Sequence, residues 1–530
     1  MAFPGFEEVT KLSQTENEEG FRVRATIAKK LANSKRRIDR RLDKENHNGG
    51  DEPALTARNH HYEIADRVRG IAHGGIGVVH ALARQIGLID AIDRHLDLLK
   101  FHRPFHESDH VLNFAYNALC EGTCLQDMEL RRNDEVFLDA LGARRIPDPT
   151  TAGDFCRRFN SVDIDILQSV FNDVRRGVWK RQPDSFFGLA TIDMDGTLVE
   201  TTGQCKEGMD IAYDGTWGYH PLVLSLAETG EVLWLVNRSG NRPSHEGAAG
   251  ATDRVVSLCR KAGFRKVLLR GDTDFSQSEH LDRWTAAGTM FVFGFDATPK
   301  LKGMAEDLPA EAWQPLNRNP AETASRQTRK RPDNVKEQVV VEREFENRRL
   351  CSESVAHFAY QPTACGHPYR MVVVRKNISV SKGEKCLFDD VRYFFYITNV
   401  MLLTTEQVVW AANNRGNQEN LLAQLHGAVN ALKAPVNTLD SNWAYMVMTA
   451  LAWNLKAWWA LMLPVSPGRW QERQEEEKRW VLGIEFKTFV QAFVRLPCQI
   501  VKTGRKLVYR LLSWNPHQRI FWRLVTALRC

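Results

Sequence analysis

The stretch Ala190-Thr191-Ile192-Asp193-Met194-Asp195-Gly196-Thr197 decides how this chain is read. Its β-branched and apolar residues predict a strand, and a strand sends residues two apart to the same face, so Asp193 and Asp195 project together. Two carboxylates on one face repel unless a proton or a cation intervenes. A second segment, Leu268-Leu269-Arg270-Gly271-Asp272-Thr273-Asp274-Phe275, runs an apolar strand into a glycine and then an acid. The C-terminal ends of strands are where open α/β sheets hold ligands. A third, Asn413-Asn414-Arg415-Gly416-Asn417-Gln418-Glu419-Asn420, opens a helix continued by Leu421, Leu422, Leu425 and Val429. The spacing of Arg415 and Glu419 predicts that they share a helix face.

Acids delivered by two strand ends and a helix can hold two Mg²⁺ (or Mn²⁺) ions, hard cations that prefer carboxylate oxygen. A metal pair about 3.5–4 Å apart stabilises both the attacking and the leaving oxygen of an in-line phosphoryl displacement.

Outward from these segments the pattern changes twice. From about residue 65 to 180 it is helical, with Val78, Val79, Leu82, Ile86 and Ile89 at three-to-four spacing. Strands are expected at Phe186–Val199, Leu222–Ala227, Val232–Val236, Val267–Arg270 and Met290–Phe295, with helices at Ala248–Ala262 and Ser276–Ala287. Residues 297–330 read as loop. Val335–Phe345, Tyr369–Val374 and Arg392–Thr398 read as strands, and helices are expected from Thr405 to the C-terminus. This gives six segments: a basic polar arm and linker (1–60), an all-helical domain (61–182), the first part of a mixed α/β core (183–298), a β-rich insertion (299–400), the second part of the core (401–465) and a basic helical C-terminal region (466–530).

The chain has 530 residues, 43% of them hydrophobic, enough to bury a sizeable core. The net charge of +6 is modest, but it is clustered. Residues 22–44 carry ten Lys and Arg, among them Arg36, Arg37 and Arg40, against two acids, Arg326–Arg331 is basic, and Lys502–Cys530 holds seven Lys and Arg, including Lys502 and Arg505, with no acid. Such clusters suit a polyanion, because each neutralised phosphate releases a counterion. Of the ten cysteines none forms a CxxC pair, and Cys351, Cys365 and His367 lack a fourth zinc ligand at sensible spacing, so reduced cytosolic thiols are expected. The N-terminus has no apolar core of a signal peptide. The apolar run Trp443–Leu463 is long enough to span a bilayer, yet Asn442, Asn454 and Lys456 border or interrupt it, so it is expected to be a buried helix, its tryptophans packed in the core. A cytoplasmic, nucleoid-associated protein without a membrane segment is the expectation.

The order strand-Asp, strand-Asp, helix-Glu resembles the DDE transposases. Within them the chain looks like the insertion-sequence thirteen-eighty group of bacterial enzymes, from about residue 65 onward. The matching motifs are Asp193-Met194-Asp195-Gly196-Thr197, Gly218-Tyr219-His220-Pro221-Leu222, Arg270-Gly271-Asp272-Thr273-Asp274-Phe275, and Asn414-Arg415-Gly416 through Glu419-Asn420. In the related signature Tyr-x2-Arg-x3-Glu-x6-Lys, Arg415 and Glu419 fit, whereas Ala412 and His426 stand at the Tyr and Lys positions.

The resemblance implies a ribonuclease-H-like mixed α/β sheet with helices on both faces, preceded by an all-helical domain and interrupted by the β-rich insertion. It implies catalytic acids Asp195, Asp272 and Glu419 holding two Mg²⁺ (or Mn²⁺), with Asp193 a further metal ligand or a support. It implies double-stranded DNA as partner, both terminal inverted repeats and target, cleaved and joined by a homodimer. Arg415, Arg36, Arg37, Arg40, Lys502 and Arg505 are the expected DNA contacts, with an Arg415–Glu419 ion pair as the competing role for Arg415. His220, Asp274 and His426 are weaker site candidates.

Two rival readings stand. Asp193-Met194-Asp195-Gly196-Thr197-Leu198-Val199 also matches the first motif of haloacid-dehalogenase-type phosphatases, in which Asp193 is the nucleophile. That motif normally begins its domain, whereas here a long helical segment precedes it, and the reading leaves Arg415 and Glu419 without a role. A non-catalytic DNA-binding protein would need the basic clusters but not the acids.

Overall fold

The computed structural model describes residues 25–41, 69–203, 205–317, 346–382, 385–503 and 506–528. The basic stretch 326–331, the strand expected at 335–345 and Arg505 lie outside the described residues.

Residues 25–41 form helix α1, on which Arg36, Arg37 and Arg40 are exposed. A two-residue strand, β1 (Gly70–Ile71), precedes α2 (Ile76–Gln85), α3 (Leu88–His95), α4 (Glu107–Leu119), α5 (Asp127–Arg132), α6 (Glu135–Leu141), α7 (Pro149–Cys156) and α8 (Ser161–Trp179). Side chains set several of these starts. Asp134 and Asp148 accept from backbone amides at the heads of α6 and α7, and Asn160 and Asp163 form a reciprocal capping box on α8. Ile164, Leu167, Phe171, Val174 and Val178 are the buried stripe of α8.

Next comes β2 (Leu189–Gly196), followed by the short strands β3 (Val199–Glu200), β4 (Asp210–Ile211) and β5 (Trp217–Tyr219), which make a small sheet of their own. The expected single strand from Phe186 to Val199 is thus broken. Phe186 and Phe187 belong to a 3-10 turn and pack against Phe264, tilted and edge-on respectively, and Phe186 also meets Trp179. Thr197 and Leu198 separate β2 from β3.

The hairpin β6 (Leu222–Leu226) and β7 (Glu231–Val236) turns at Gly230, which has φ 69°, a conformation glycine adopts without Cβ strain. Then follow α9 (Ala248–Ala262), β8 (Lys266–Gly271), α10 (Ser278–Ala286), β9 (Met290–Phe295) and α11 (Pro299–Glu306). The last corrects the loop expected there: Thr298 caps the helix and Pro299 sits at its first position.

Strands β10 (Gln314–Pro315), β11 (Glu346–Tyr360), β12 (Tyr369–Lys382) and β13 (Lys385–Thr398) do not form a separate layer. One nine-stranded sheet runs β10-β11-β12-β13-β9-β8-β2-β6-β7. The three central strands β9, β8 and β2 are parallel, and every other pairing is antiparallel.

Helices α12 (Thr405–Asn413), α13 (Gly416–Gly427), α14 (Leu439–Leu461), α15 (Gln471–Gly483) and α16 (Phe486–Phe489) follow. The expectation of helix from Thr405 to the end is then corrected by the hairpin β14 (Cys498–Thr503) and β15 (Lys506–Leu511), with α17 (Gln518–Ala527) closing the described chain. In β14 buried Cys498 and Ile500 alternate with half-buried Gln499 and Val501, the period of a strand rather than a helix. β1 pairs with β14 through Gly70–Gln499 and Ile71–Cys498.

The sheet has helices on both faces. Val408 and Val409 of α12 join Leu268, Val292, Val355, Val372 and Val374 in one core cluster, and the rest of the core lies in a larger one. Helix α14, the apolar run of the sequence, is buried nearly throughout, and among the described residues no helix is long and apolar enough to cross a membrane.

Side chains of α14 and α8 cover the outer edge of β7. Val232 N–H donates to Asn454 Oδ1 (2.9 Å), and its carbonyl accepts from Asn454 Nδ2 (3.0 Å) and Arg175 Nη2 (2.6 Å). The Leu235 amide donates to Gln168 (2.8 Å) and its carbonyl accepts the Trp443 indole N–H (2.7 Å). An open strand edge carries unpaired polar groups, and this edge is closed without another strand. Below it, fully buried Glu231 accepts from Arg175 Nε (2.9 Å), the Trp179 indole (2.9 Å), the Trp458 indole (2.7 Å) and the Thr229 hydroxyl (2.7 Å). The tryptophans of the apolar run therefore serve the core, as the sequence predicts.

Candidate active site

Asp195 lies near the C-terminal end of β2, Asp272 directly after β8, and Glu419 in the first turn of α13. Because β2 and β8 are adjacent and parallel, their ends bring Asp195 and Asp272 to the same edge of the sheet. Two glycines make room there. A Cβ on Gly196 would stand 2.6 Å from His220 Nε2, and one on Gly271 2.7 Å from the Phe275 Cβ.

Arg415 joins the strand ends. Its Nη1 is 3.2 Å from Asp195 Oδ2 and 3.6 Å from Asp272 Oδ2. The competing ion pair with Glu419 is corrected: Arg415 pairs with Asp195 and Asp272 instead. The helix breaks at Asn414-Arg415, Arg415 caps α13, and its guanidinium turns toward the aspartates, while Glu419 is exposed.

Burial pushes the Asp195 carboxyl up to about 6, opposed by Arg415 and assisted by the negative charges of Asp272 and Glu419. Burial raises Asp272 too, again against Arg415 and with Asp274 and Asp296 adding to it. The site is short of positive charge, and Arg415 Nη1 is buried without a hydrogen bond. Carboxylate oxygens are the donor type a hard divalent cation such as Mg²⁺ or Mn²⁺ prefers, but Arg415 lies between Asp195 and Asp272, and among the described residues ligand atoms of Asp195, Asp272 and Glu419 do not all come within 4.8 Å of one another.

Asp193 is different. Both its oxygens are bound by Arg270, Nε to Oδ1 at 2.7 Å and Nη2 to Oδ2 at 2.8 Å, and it is 1% exposed. Of the two roles open to Asp193, metal ligand or support, the bidentate guanidinium on its oxygens favours support. The same pairing counts against the free nucleophile that the phosphatase reading needs. Arg270 Nη1 goes on to the Ala411 carbonyl (3.0 Å), tying β8 to α12.

Helix α13 is locked to the strand ends by Gln418, to which the sequence assigns no role, and by His426, one of the weaker candidates. Gln418, buried beside Glu419, donates to the Val223 carbonyl (3.1 Å) and meets the Ser225 hydroxyl. His426 Nε2 lies 2.9 Å from the Thr197 hydroxyl. The signal for Arg270 was its presence inside an apolar strand, but its pairing with Asp193 depends on a strand register, Asp193 opposite Arg270, that the sequence does not print.

Of the other candidates, His220 is buried with Nδ1 on the Arg242 carbonyl (2.9 Å), and the Asp274 amide donates to Asp272 Oδ1 (3.0 Å). Lys502 is exposed and paired with Asp139 at 2.7 Å.

Acids at adjacent parallel strand ends and at the head of a helix are the arrangement of a transposase core. The chain belongs to the transposase family described as transposase DDE domain group 1, whose model matches residues 69–530. It is similar to a solved synaptic complex of the piggyBac transposase with hairpin DNA, at 11% identity and a TM-score of 0.34 over 80% of this chain and 82% of that one. No curated protein matches it.

Proposed function

We propose that the chain cleaves the ends of a mobile element and joins them to target DNA, with Asp195, Asp272 and Glu419 as the catalytic acids of a ribonuclease-H-like core. The observation that carries this is the meeting of Asp195 and Asp272 at adjacent parallel strand ends around Arg415, with Glu419 one turn further along. The strand order β9-β8-β2-β6-β7, three parallel strands and an antiparallel hairpin, supports the ribonuclease-H-like reading.

In this reading Asp195, Asp272 and Glu419 hold two Mg²⁺ (or Mn²⁺) ions, which supply activation of the attacking hydroxyl and stabilisation of the leaving 3′-oxygen. Asp195 must be ionised to bind a cation, and Arg415 favours that form. Arg415 then offers its guanidinium to a DNA phosphate, for which its fork geometry is suited. Gln418, Thr197 and His426 hold α13 so that Glu419 stays at the strand ends. Arg36, Arg37 and Arg40 on α1, Lys502 on β14 and Arg505 are proposed as phosphate contacts, which position the duplex without reading its sequence. Segment 61–182 is proposed as the end-binding domain, and a homodimer spanning two ends as the working form.

The test is cleavage of a labelled duplex carrying the element's own end, with Mg²⁺, by wild type and Glu419→Ala. Nicking to a 3′-hydroxyl by wild type, with Glu419→Ala binding but not cutting, is the expected result. Unimpaired cutting by Glu419→Ala would overturn the assignment.

A further inference from the structure

A second set of metal-ligating groups sits among the helices, away from the sheet ends. After α3 the chain loops from Leu96 to His106 before α4 begins at Glu107. Ligand atoms of Asp97, His102 and Glu107 all lie within 4.8 Å of one another. Glu107 is 0% exposed, an uncommon state for a carboxylate without a compensating partner. Its Oε1 accepts the amides of Leu98 (3.1 Å) and Leu99 (3.0 Å). Its Oε2 is buried without a hydrogen bond and is turned toward His102 Nδ1 at 3.2 Å.

That contact has the length of a hydrogen bond but makes none. Two donors each about 2.0–2.1 Å from a shared ion lie about 3–3.5 Å apart and point at the ion rather than at each other. The surroundings are already fixed. The His106 ring stacks on His102 at 5.3 Å and 6°, and the Ser108 amide and hydroxyl hold Asp93 of α3 at 2.8 and 2.9 Å. Asp97 and His102 are exposed, leaving room for water to complete a coordination shell.

We propose that Asp97, His102 and Glu107 form a binding site for one divalent transition-metal ion, independent of the sheet-end acids. One imidazole and two carboxylates suit a borderline ion such as Zn²⁺ better than Mg²⁺. Bound there, the ion joins the start of the loop after α3, its middle and the first residue of α4. It thereby fixes the loop that carries Lys100, Arg103 and Phe101, the last 82% exposed.

Full-length protein stripped with chelator is titrated with Zn²⁺ by calorimetry, and with Co²⁺ by visible absorption. Asp97→Asn and His102→Ala, both at exposed positions, are compared with wild type and with Asp272→Asn, which disables the strand-end acids. Wild type and Asp272→Asn are expected to share a Zn²⁺ site that each of the two loop variants weakens about 100-fold or more. In parallel, Zn²⁺ is expected to slow trypsin cleavage after Lys100 in wild type and not in His102→Ala. Zn²⁺ binding equal in wild type and His102→Ala, binding lost only in Asp272→Asn, or no binding by wild type overturns the proposal. None of these outcomes bears on whether the chain cuts DNA.

Discussion

The Thr197 hydroxyl and His426 Nε2, 229 positions apart in the chain, lie 2.9 Å apart and fasten the end of β2 to the helix that carries Glu419. The contact touches none of the three proposed catalytic acids. Thr197→Val is expected to leave DNA binding unchanged and to slow single-turnover cleavage about three- to tenfold, the worth of one hydrogen bond. His426→Gln, which retains a polar group, is expected to lose less than His426→Ala.

Asp193 and Asp195 stand two residues apart but should fail in different ways. Asp195→Asn is expected to reduce cleavage by about 10³-fold, with an unchanged melting temperature or a higher one, since a buried carboxyl pushed up to about 6 is removed. Asp193→Asn leaves Arg270 buried without its counter-charge and should lower stability by about 3–5 kcal/mol. Thermal denaturation of both variants beside a cleavage assay separates the two roles.

Arg415 competes for the carboxylates that a metal would use. Arg415→Ala, without DNA, is therefore expected to bind Mn²⁺ more tightly than wild type, while cutting DNA at least about tenfold more slowly. Calorimetry with Mn²⁺ reads the first effect. Equal or weaker Mn²⁺ binding by the variant would mean that the guanidinium is not a competitor.

Glu231 is the hub under the covered sheet edge, with Arg175, Trp179 and Trp458 all donating to it. Glu231→Ala is expected to cost about 3–5 kcal/mol by stranding buried Arg175, read as a lower midpoint in urea. Exposed Glu246, paired with Arg242 at the surface, should cost less than about 1 kcal/mol when changed to Ala.

Lys456 gives a pH signature. Burial lowers its ammonium from 10.5 to about 7, although Nζ donates to the Leu482 carbonyl at 2.8 Å. Below pH 7 the buried charge penalises the fold in full. Between about 7 and 10.5 the unfolded chain holds the proton and the folded one does not, so stability rises with pH across that window. Lys456→Met should gain most relative to wild type at pH 6, and the difference in melting temperature should shrink toward pH 10.

Much of the secondary structure is legible locally. Helix α9 and strand β9 fall where periodicity and the Gly263 stop predict them, because their signals lie within one element. The C-terminal hairpin is not legible locally, because strands β14 and β15 are short and amphipathic and a two-residue strand near Gly70, distant in the chain, completes their sheet. That the strands between Asp272 and Glu419 continue the core sheet, through the pairing of β13 with β9, is not legible locally.

The sequence by itself determined that acids follow two strands and open a helix, because residue type, period-two alternation and apolar runs are local properties. It also determined the family. Only the tertiary structure decided that Arg270 takes both oxygens of Asp193, that Arg415 faces Asp195 and Asp272 rather than Glu419, and that Gln418 and His426 secure the helix. Those facts depend on which strands are neighbours and in what register. Pairing energies between residues far apart in the chain set the register, and no single segment carries that information.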